Sequence, residues 1–258
     1  MSDLLAGKTI VITGASSGIG RAIALTAAKH GAKAVIVSDI TETPREGGEP
    51  TTKAIAALSL GTLTKFQHAD VSSPDDNDKL IAAAEEFGGV DIMMCNAGIS
   101  LSADGADVSA ADFQRLMAIN VNGTLFGAQA AARQMKKLGK KGSIILMASM
   151  GGLAGAAVTL AYSTSKGGIV QMARSLADAY GPDGIRVNAI APGSIDTELL
   201  RATPGVASVT EGFRLRTPLR RVGQPDEIAN VVVFLGSDLA SYITGVILPV
   251  DGGLLAVI

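Results

Sequence analysis

The stretch that decides the fold is residues 9–25, TIVITGASSGIGRAIAL. In it an apolar β-branched run leads directly into a turn containing Gly14, Gly18 and Gly20, and a helical pattern starts at Arg21. Glycines let a backbone turn tightly and approach a pyrophosphate, while the N-terminus of the following helix presents unpaired N–H groups and a partial positive charge. The spacing is G-x-x-x-G-x-G rather than G-x-G-x-x-G, and it predicts a phosphate-binding turn in an α/β fold.

The rest of the chain alternates short β-branched runs with longer helical patterns, which predicts one parallel sheet covered by helices. The predicted strands are Lys8–Thr13, Ala34–Ser38, Leu63–Gln67, Val90–Cys95, Ser143–Ser149, Ile185–Ile190 and Val246–Val250. The predicted helices are Gly18–His30, Thr51–Leu60, Pro74–Phe87, Ala110–Leu138, Ala161–Tyr180 and Pro225–Leu235. We therefore expect an α/β fold, a single doubly wound Rossmann-type domain over residues 1–258 with a seven-stranded parallel sheet and helices on both faces.

Two stretches lack a clear period, Thr41–Pro50 and Ser194–Gly223. Long loops in compact α/β domains are often lids over a binding site. The second stretch is much the longer of the two, so we expect the substrate lid at about residues 194–223.

Composition excludes several classes of protein. The 258 residues carry a formal charge of −2 and contain no Trp, so neither a basic surface nor base-stacking side chains favour a nucleic acid partner. A single cysteine excludes an internal disulfide, and two histidines leave few ligands for a catalytic zinc, so no metal is expected. Residues 142–165 are uncharged, but glycines and hydroxyl side chains interrupt them, so we expect no membrane span. With no signal-peptide pattern, these features predict a cytoplasmic protein.

Two other motif matches lie in or just before the glycine turn. Residues 14–18 match the G-x-S-x-G nucleophile elbow, but the histidines that follow are only His30 and His68, and an elbow usually closes a strand in the middle of a sheet. Residues 7–9 resemble the end of a Walker loop, yet Ser2 stands where that loop requires glycine. A glycine turn without a ligand is the remaining alternative, and the dinucleotide interpretation is favoured.

Asp39 stands 19 positions after Gly20, at the end of the second predicted strand. This offset, close to about 20 residues, is typical of the carboxylate that binds the ribose hydroxyls of a dinucleotide. The carboxylate repels a 2′-phosphate, and neighbouring Ser17, Ser38 and Ile40 supply no cation to hold one. We therefore expect NAD(H) rather than NADP(H). A turn residue without a ligand is the plainer alternative.

Tyr162 and Lys166 are four residues apart in a predicted helix, so their side chains share one face. A nearby cation favours phenolate, so we expect Lys166 to lower the pKa of Tyr162 from its usual value of about 10. Ser149 is expected to close the strand Ser143–Ser149 at the crevice where doubly wound folds bind ligands. Asn120 is an amide within a long helical pattern, where such residues are mildly unfavourable. Taken alone, the Tyr–Lys pair is more typical of a structural role.

Taken in order, these motifs resemble the short-chain dehydrogenase/reductase family, and the resemblance covers nearly the whole chain. The motif T-G-x-x-x-G-x-G matches residues 13–20, and Y-x-x-x-K matches Tyr162 and Lys166. One departure is Cys95, where many members have a second asparagine before N-A-G. The other matching positions are the ribose-binding Asp39, the adenine-contacting Asp70 and Val71, the segment Asn96, Ala97 and Gly98, the helix residue Asn120, Ser149, and the P-G-x-x-x-T segment with Pro192, Gly193, Ile195 and Thr197.

The resemblance implies an oxidoreductase in which a hydride moves between a substrate carbon and the nicotinamide of NAD. Tyr162 is then the acid/base group, Ser149 hydrogen-bonds the reacting oxygen, Lys166 binds the nicotinamide ribose, and Asn120 positions a water that links Lys166 to solvent. These four residues are the implied catalytic set. The implied cofactor-binding residues are Gly14, Ser16, Ser17, Gly18, Ile19, Gly20, Asp39, Asp70, Val71, Asn96, Ala97, Gly98, Tyr162, Lys166, Pro192, Gly193, Ile195 and Thr197.

Apolar residues predominate near Ser149 and Tyr162, so the expected substrate is an apolar secondary alcohol or its ketone. The arginines between residues 214 and 221 raise the possibility of an anionic substrate, although salt bridges explain them more simply. Two alternatives stay open: a 3-oxoacyl-thioester reductase, whose carrier protein the arginines could bind, and a non-catalytic NAD(H)-responsive binding protein. The expected pocket walls are Ile99, Met150, Leu153, Ala156, Ala157 and Val158, with Leu199, Leu200, Val206 and Phe213 from the lid.

The resemblance also implies a homotetramer. In that assembly the helical patterns Ala110–Leu138 and Ala161–Tyr180 pair across two-fold axes, and the segment Ile243–Ile258 makes a further contact. The apolar residues 254–258 fit burial at such a contact.

Overall fold

The sheet is parallel throughout and has the strand order β3-β2-β1-β4-β5-β6-β7. The computed structural model describes residues 3–101, 103, 105, 107–155, 157–202, 211–212 and 214–257. The strands are β1 (Thr9–Thr13), β2 (Ala34–Asp39), β3 (Leu63–His68), β4 (Ile92–Cys95), β5 (Gly142–Met147), β6 (Ile185–Pro192) and β7 (Ile247–Val250). The helices in the described residues are α1 (Gly18–Lys29), α2 (Thr51–Ala57), α3 (Pro74–Ala82), α4 (Ala110–Met117), α5 (Gly123–Lys137), α6 (Leu160–Tyr180), α7 (Glu198–Ala202) and α8 (Pro225–Gly236).

Helices cover the sheet on both faces, because successive side chains of a central strand such as β1 are buried and point to opposite faces. Ile10 and Ile12 of β1 belong to the core beneath α1, α2 and α8. Val11, between them, belongs to the core beneath α3, α5 and α6. The α/β fold class expected from the sequence, with its seven parallel strands, is confirmed.

The strand order places the crevice of the fold at β1. From β1 the chain moves outward through β2 and β3, and then returns to the other side of β1 to form β4. Ligands of doubly wound sheets bind at such a switch point, outside the carboxyl ends of the strands. The topology therefore places the end of β1, the glycine turn and the end of β4 in one location.

Two predicted elements differ from the observed ones where the site is built. The single helix expected over Ala110–Leu138 is divided by a π-helical turn, Ala118–Asn122, between α4 and α5. The strand expected to reach Ser149 ends at Met147, and Ser149 instead begins a 3₁₀ turn by accepting a hydrogen bond from the Gly151 N–H.

Two other predicted helices end earlier than expected. The helix expected to reach Leu60 ends at Ala57, just before Ser59, whose φ of 54° is left-handed. The helix expected to reach Phe87 ends at Ala82, and a separate 3₁₀ turn covers Glu85–Phe87. Within the described residues, no helix combines the length and apolarity that a bilayer-spanning segment requires.

We expect Gly20→Ala to destabilise the fold by about 3 kcal/mol, because the turn leaves no space for a methyl group at this position and the backbone would have to shift. A Cβ at Gly20 would overlap the Gly14 carbonyl oxygen and lie 2.7 Å from Asn96 Nδ2. Gly181→Ala is the matched control, because nothing lies within 4 Å of a Cβ there. Urea unfolding measures both variants, and equal midpoints for the two would contradict the packing described for the turn.

Candidate active site

A cavity of about 830 Å³ opens along the carboxyl ends of the central strands. It brings together all of the sequence-predicted site residues except Ser16 and Asn120, which are buried directly behind its wall. The predicted residues that line it are Gly14, Ser17, Gly18, Ile19, Gly20, Asp39, Asp70, Val71, Asn96, Ala97, Gly98, Ser149, Tyr162, Lys166, Pro192, Gly193, Ile195 and Thr197.

The glycine turn is held in shape by the end of β4. Asn96 donates from Nδ2 to the carbonyl oxygens of Thr13 (2.9 Å) and Gly14 (3.1 Å). In return, Thr13 Oγ1 accepts the backbone N–H of Asn96 (3.0 Å) and of Ala97 (3.1 Å). Gly14 has a φ of +65°, and a Cβ there would lie 2.9 Å from Asn96 Nδ2, so the turn requires glycine. The N-A-G segment therefore supports the phosphate-binding turn.

The N-terminus of α1 already binds an anionic group. The Gly18 N–H donates to a carboxylate oxygen of Glu46 at 3.1 Å. Ser17, the N-cap residue, accepts the backbone N–H of Arg45 at 2.7 Å through its hydroxyl. Because a carboxylate is bound where the first free N–H of the helix points, this end of the cavity fits the pyrophosphate of a dinucleotide.

Asp39 lies at the end of β2, on the wall of the cavity. Its carboxylate accepts the N–H of Ile40 at 2.8 Å and of Ser16 at 3.3 Å. These backbone bonds orient the carboxylate and leave lone pairs for further donors, since an ionised carboxylate has about four acceptor sites. The geometry fits a pair of ribose hydroxyls.

Arg45 also lines the cavity, and sequence reasoning missed it. That reasoning considered only Ser17 and the neighbours of Asp39 along the chain, whereas Arg45 lies six residues beyond Asp39 in the loop Thr41–Pro50. The hydrogen bond from the Arg45 N–H to Ser17 Oγ brings this loop beside the turn, and no periodicity in the loop indicates that contact.

Helix α6 carries the tyrosine and the lysine. Lys166 is 4% exposed, and its Nζ donates to the carbonyl oxygen of Met147, at the end of β5, at 2.7 Å. The same Nζ lies 5.6 Å from the centre of the Tyr162 ring. Ser149, on the turn that follows β5, is hydrogen-bonded to the Tyr162 side chain. The end of β5 therefore fixes all three groups.

Burial governs the protonation of Tyr162 and Lys166. Desolvation raises the pKa of Tyr162, and the hydrogen bond with Ser149 lowers it by less. Desolvation also lowers the pKa of Lys166 to about 8. The expectation that Lys166 lowers the pKa of Tyr162 is therefore wrong for the protein alone, because burial disfavours the charged form of both side chains.

Asn120 lies in the π-helical turn, and both N–H donors of its amide are hydrogen-bonded. Its Oδ1 accepts the N–H of Ile99 at 2.9 Å, while its Nδ2 donates to the Ile99 carbonyl oxygen at 3.0 Å and to Ser165 Oγ at 3.1 Å. Ser165 Oγ in turn donates to the Tyr162 carbonyl oxygen at 2.7 Å. Asn120 thus joins the strand-end loop to α6, and π-helical turns are frequent at functional sites.

The other end of the cavity is mostly apolar. Of the expected walls, Ile99, Met150, Val158, Leu199 and Leu200 line it, whereas Leu153 does not. Ala156, Val206, Phe213 and the side chain of Ala157 lie outside the described residues. The polar side chains at this end are Ser100, Thr159 and Glu198, besides Ser149 and Tyr162.

The arginines between residues 214 and 221 do not line this cavity. Arg214 pairs with Glu211 and Arg221 with Glu227, each at 2.6 Å, and both arginines line a second cavity of about 400 Å³. These ion pairs favour the salt-bridge explanation over an anionic substrate. Cys95 is buried, and desolvation raises the pKa of its thiol to about 12, so it is an inert core residue.

Comparison with known proteins agrees with this geometry. A family model described as enoyl-(acyl carrier protein) reductase matches residues 14–255. L-rhamnose 1-dehydrogenase (NAD(P)(+)) of Azotobacter vinelandii is 41% identical over 252 residues, which cover 97% of this chain and 98% of that protein. Cis-4-hydroxycyclohexanecarboxylate dehydrogenase of Sinomonas cyclohexanicum is 37% identical over 259 residues, which cover 100% of both chains. The crystal structure of a short-chain type dehydrogenase/reductase from Mycobacterium marinum superposes with a TM-score of 0.89 at 35% identity, covering 98% of this chain and 97% of that one.

The fold, the glycine turn and the Tyr162–Lys166 helix define an oxidoreductase built on a dinucleotide-binding domain. The chain belongs to the short-chain dehydrogenase/reductase family, and the two relatives named above are dehydrogenases of CH–OH groups.

Because Lys166 is buried, the stability of the fold depends on pH. Its pKa is about 8 in the folded protein against a usual 10.5, so between these values the unfolded chain binds more protons and stability rises with pH. From pH 7.5 to 9.5 we expect the unfolding free energy of the wild type, relative to Lys166→Met, to rise by about 2 kcal/mol. Urea unfolding of both proteins at the two pH values measures this difference. A difference that stays constant or falls would contradict the burial of a lysine that titrates near pH 8.

Proposed function

We propose that this protein is an NAD(H)-dependent oxidoreductase that interconverts an apolar secondary alcohol and its ketone by hydride transfer. The observation that carries the proposal is the placement of Ser149, Tyr162 and Lys166 together on the wall of the cavity that also contains the phosphate-binding turn. A proton-transfer group and a dinucleotide site in one cavity are the two requirements of this chemistry.

The proposed roles follow from these positions. In the oxidation direction, Tyr162 accepts the proton of the substrate hydroxyl while Ser149 donates a hydrogen bond to the same oxygen. The nicotinamide of bound NAD supplies the hydride acceptor. Lys166 has three donors and gives one to the Met147 carbonyl, so two remain for ribose hydroxyls. Asn120 holds Ile99 and Ser165 in position behind these groups.

Asp39 supports NAD(H) as the preferred cofactor. Its carboxylate lies where it can accept hydrogen bonds from both ribose hydroxyls, and its charge opposes a 2′-phosphate at the same point. Pro192, Gly193, Ile195 and Thr197 line the same cavity, where they would hold the carboxamide.

The apolar walls support the substrate class. Ile99, Met150, Val158, Leu199 and Leu200 offer no side-chain hydrogen bonds, so an apolar alcohol would lose little on leaving water. A sugar is the second candidate, because Ser100, Thr159 and Glu198 line the same end and a relative is named for L-rhamnose. Paired activity assays with a cyclic secondary alcohol and an aldose separate the two.

A thioester reductase and a non-catalytic NAD(H)-responsive protein have less support. The arginines are less suited to bind a carrier protein, because Arg214 and Arg221 are already paired with Glu211 and Glu227. A protein that only responded to NAD(H) would not need Ser149, Tyr162 and Lys166 together.

A homotetrameric assembly and a cytoplasmic location remain part of the proposal. At the C-terminus, Leu254 is buried within its own chain, whereas Val257 is 58% exposed and available to a second copy. Ile258 lies outside the described residues.

Tyr162→Phe tests the acid/base role. The substitution removes only the phenolic oxygen, so we expect turnover to fall by at least about 10²-fold while NADH binds within a few-fold of wild type. Tyr180→Phe is the matched control, because Tyr180 lies on the same helix and does not line the cavity. Steady-state kinetics and NADH fluorescence titration measure the two quantities, and substantial turnover by the Tyr162→Phe enzyme would reject the role.

Asp39→Ala combined with Ile40→Arg tests the cofactor assignment. Removing the carboxylate and adding a cation should raise the ratio of kcat/KM for NADP⁺ to that for NAD⁺ by about tenfold to a hundredfold, or roughly 1.4–2.8 kcal/mol. Glu42→Ala is the control, since it removes a nearby carboxylate that does not line the cavity. An unchanged ratio in the double variant would count against Asp39 as the ribose ligand.

A further inference from the structure

The turn that follows β3 is held in place by the start of α3. Asp70 and Val71 stand on this turn and line the cavity. The Ser73 N–H donates to the Asp70 carbonyl oxygen at 2.9 Å and closes the turn. The Asp70 N–H donates to the carboxylate of Asp76, in the first turn of α3, at 3.1 Å. The backbone of Asp70 therefore has a fixed position at the edge of the cavity.

The carboxylate of Asp70 is also oriented. Its Oδ1 accepts the N–H of Ser72 at 2.9 Å and the hydroxyl of Ser72 at 2.7 Å. These two bonds use one oxygen of the carboxylate, so Oδ2 can accept a donor from a ligand in the cavity.

Asn77 of α3 is a buried amide that the proposed reaction does not use. It is 1% exposed and does not line the cavity. Its Nδ2 donates to the carbonyl oxygens of Val71 and Ser73, each at 2.8 Å. Because both N–H donors of the amide bind the turn that carries Asp70, Asn77 fixes the path of the backbone directly after that residue.

Packing alone does not explain an amide at this position. Among the described residues, Asn77 Oδ1 has no hydrogen-bond partner. It lies close to Gly127 of α5, where an added Cβ would be 3.3 Å from it. An unpaired buried oxygen lowers stability, and an apolar side chain would avoid it. An apolar side chain, however, could not bind the Val71 carbonyl, so the two N–H donors account for the amide.

The position of Asp70 determines which base the cavity favours. Adenine carries an amine at C6, whose N–H groups can donate to a carboxylate oxygen. Hypoxanthine carries a carbonyl oxygen at C6, and two acceptors repel each other. A carboxylate held in one position separates these bases well, whereas a mobile carboxylate can turn toward water and separates them poorly.

We propose that Asn77 is a positioning residue that sets the selectivity of the dinucleotide site for adenine. It acts from outside the cavity by holding the Val71 and Ser73 carbonyls, and through them the Asp70 carboxylate. This inference rests on the proposed function only in requiring that a dinucleotide binds in the cavity.

Equilibrium binding tests the role of Asn77 without turnover. Isothermal titration calorimetry compares ADP with IDP, which share the ribose and the pyrophosphate and differ only in the base. We expect the wild type to favour ADP, and Asn77→Leu to lower the ratio of the two affinities by about tenfold, because the hydrogen bond to the charged Asp70 is weakened. Asn77→Ser, which removes the amide without adding bulk, is expected to give the same loss and replaces the leucine variant if that variant unfolds.

Ile81→Val is the matched control for a loss of stability. It shortens a buried apolar side chain of the same helix that makes no hydrogen bond to the turn. Urea unfolding measures the stability of each variant, and we expect Ile81→Val to keep the wild-type ratio of ADP to IDP affinity although it is destabilised.

Kinetics extend the test to the whole cofactor. The ratio of kcat/KM for NAD⁺ to that for nicotinamide hypoxanthine dinucleotide should fall by a similar factor in Asn77→Leu, with the change in KM rather than in kcat. An unchanged ratio in the Asn77 variants, an equal loss in Ile81→Val, or a wild type that does not favour ADP over IDP at millimolar concentration would overturn the role. Failure of the proposed function is distinguishable, because the wild type would then turn over no alcohol while the calorimetric comparison could still be made.

Discussion

The hydrogen bond from the Lys166 ammonium to the Met147 carbonyl joins α6 to the carboxyl end of β5. Its cost is the burial of a cation, which appears as a pKa lowered to about 8. Its effect is positional. Tyr162 lies one turn earlier on the same helix and Ser149 lies two residues after β5, so this contact holds the helix that carries Tyr162 close to the turn that carries Ser149.

Sequence reasoning succeeded where geometry is local or follows from topology. The Tyr162–Lys166 pair needed only the helical repeat, and the glycine turn needed only its place between a strand and a helix. Asp39 and Asn96 lie far apart in sequence, but each stands at the carboxyl end of a parallel strand, and these ends meet at one edge of the sheet. The fold and most of the cavity wall were therefore predictable.

The remaining features depend on packing that one sequence does not display. The π-helical turn at Asn120 has the same polar and apolar spacing as the helix around it. The extra residue of this turn becomes evident only in the structure, where Asn120 contacts Ile99 and Ser165. The position of Arg45 depends on the path of an aperiodic loop over the turn. The raised pKa of Tyr162 is the balance of burial against hydrogen bonding, and neither quantity can be read from spacing.

A crystal structure of the protein with NAD⁺ tests the central claim most directly. We expect the pyrophosphate at the N-terminus of α1, in place of the Glu46 carboxylate, and Lys166 Nζ within about 3 Å of a hydroxyl of the nicotinamide ribose. The nicotinamide ring would then lie beside Tyr162, with room for a small alcohol between them. A ring bound outside this cavity, or a Lys166 ammonium beyond reach of the ribose, would contradict the proposed chemistry.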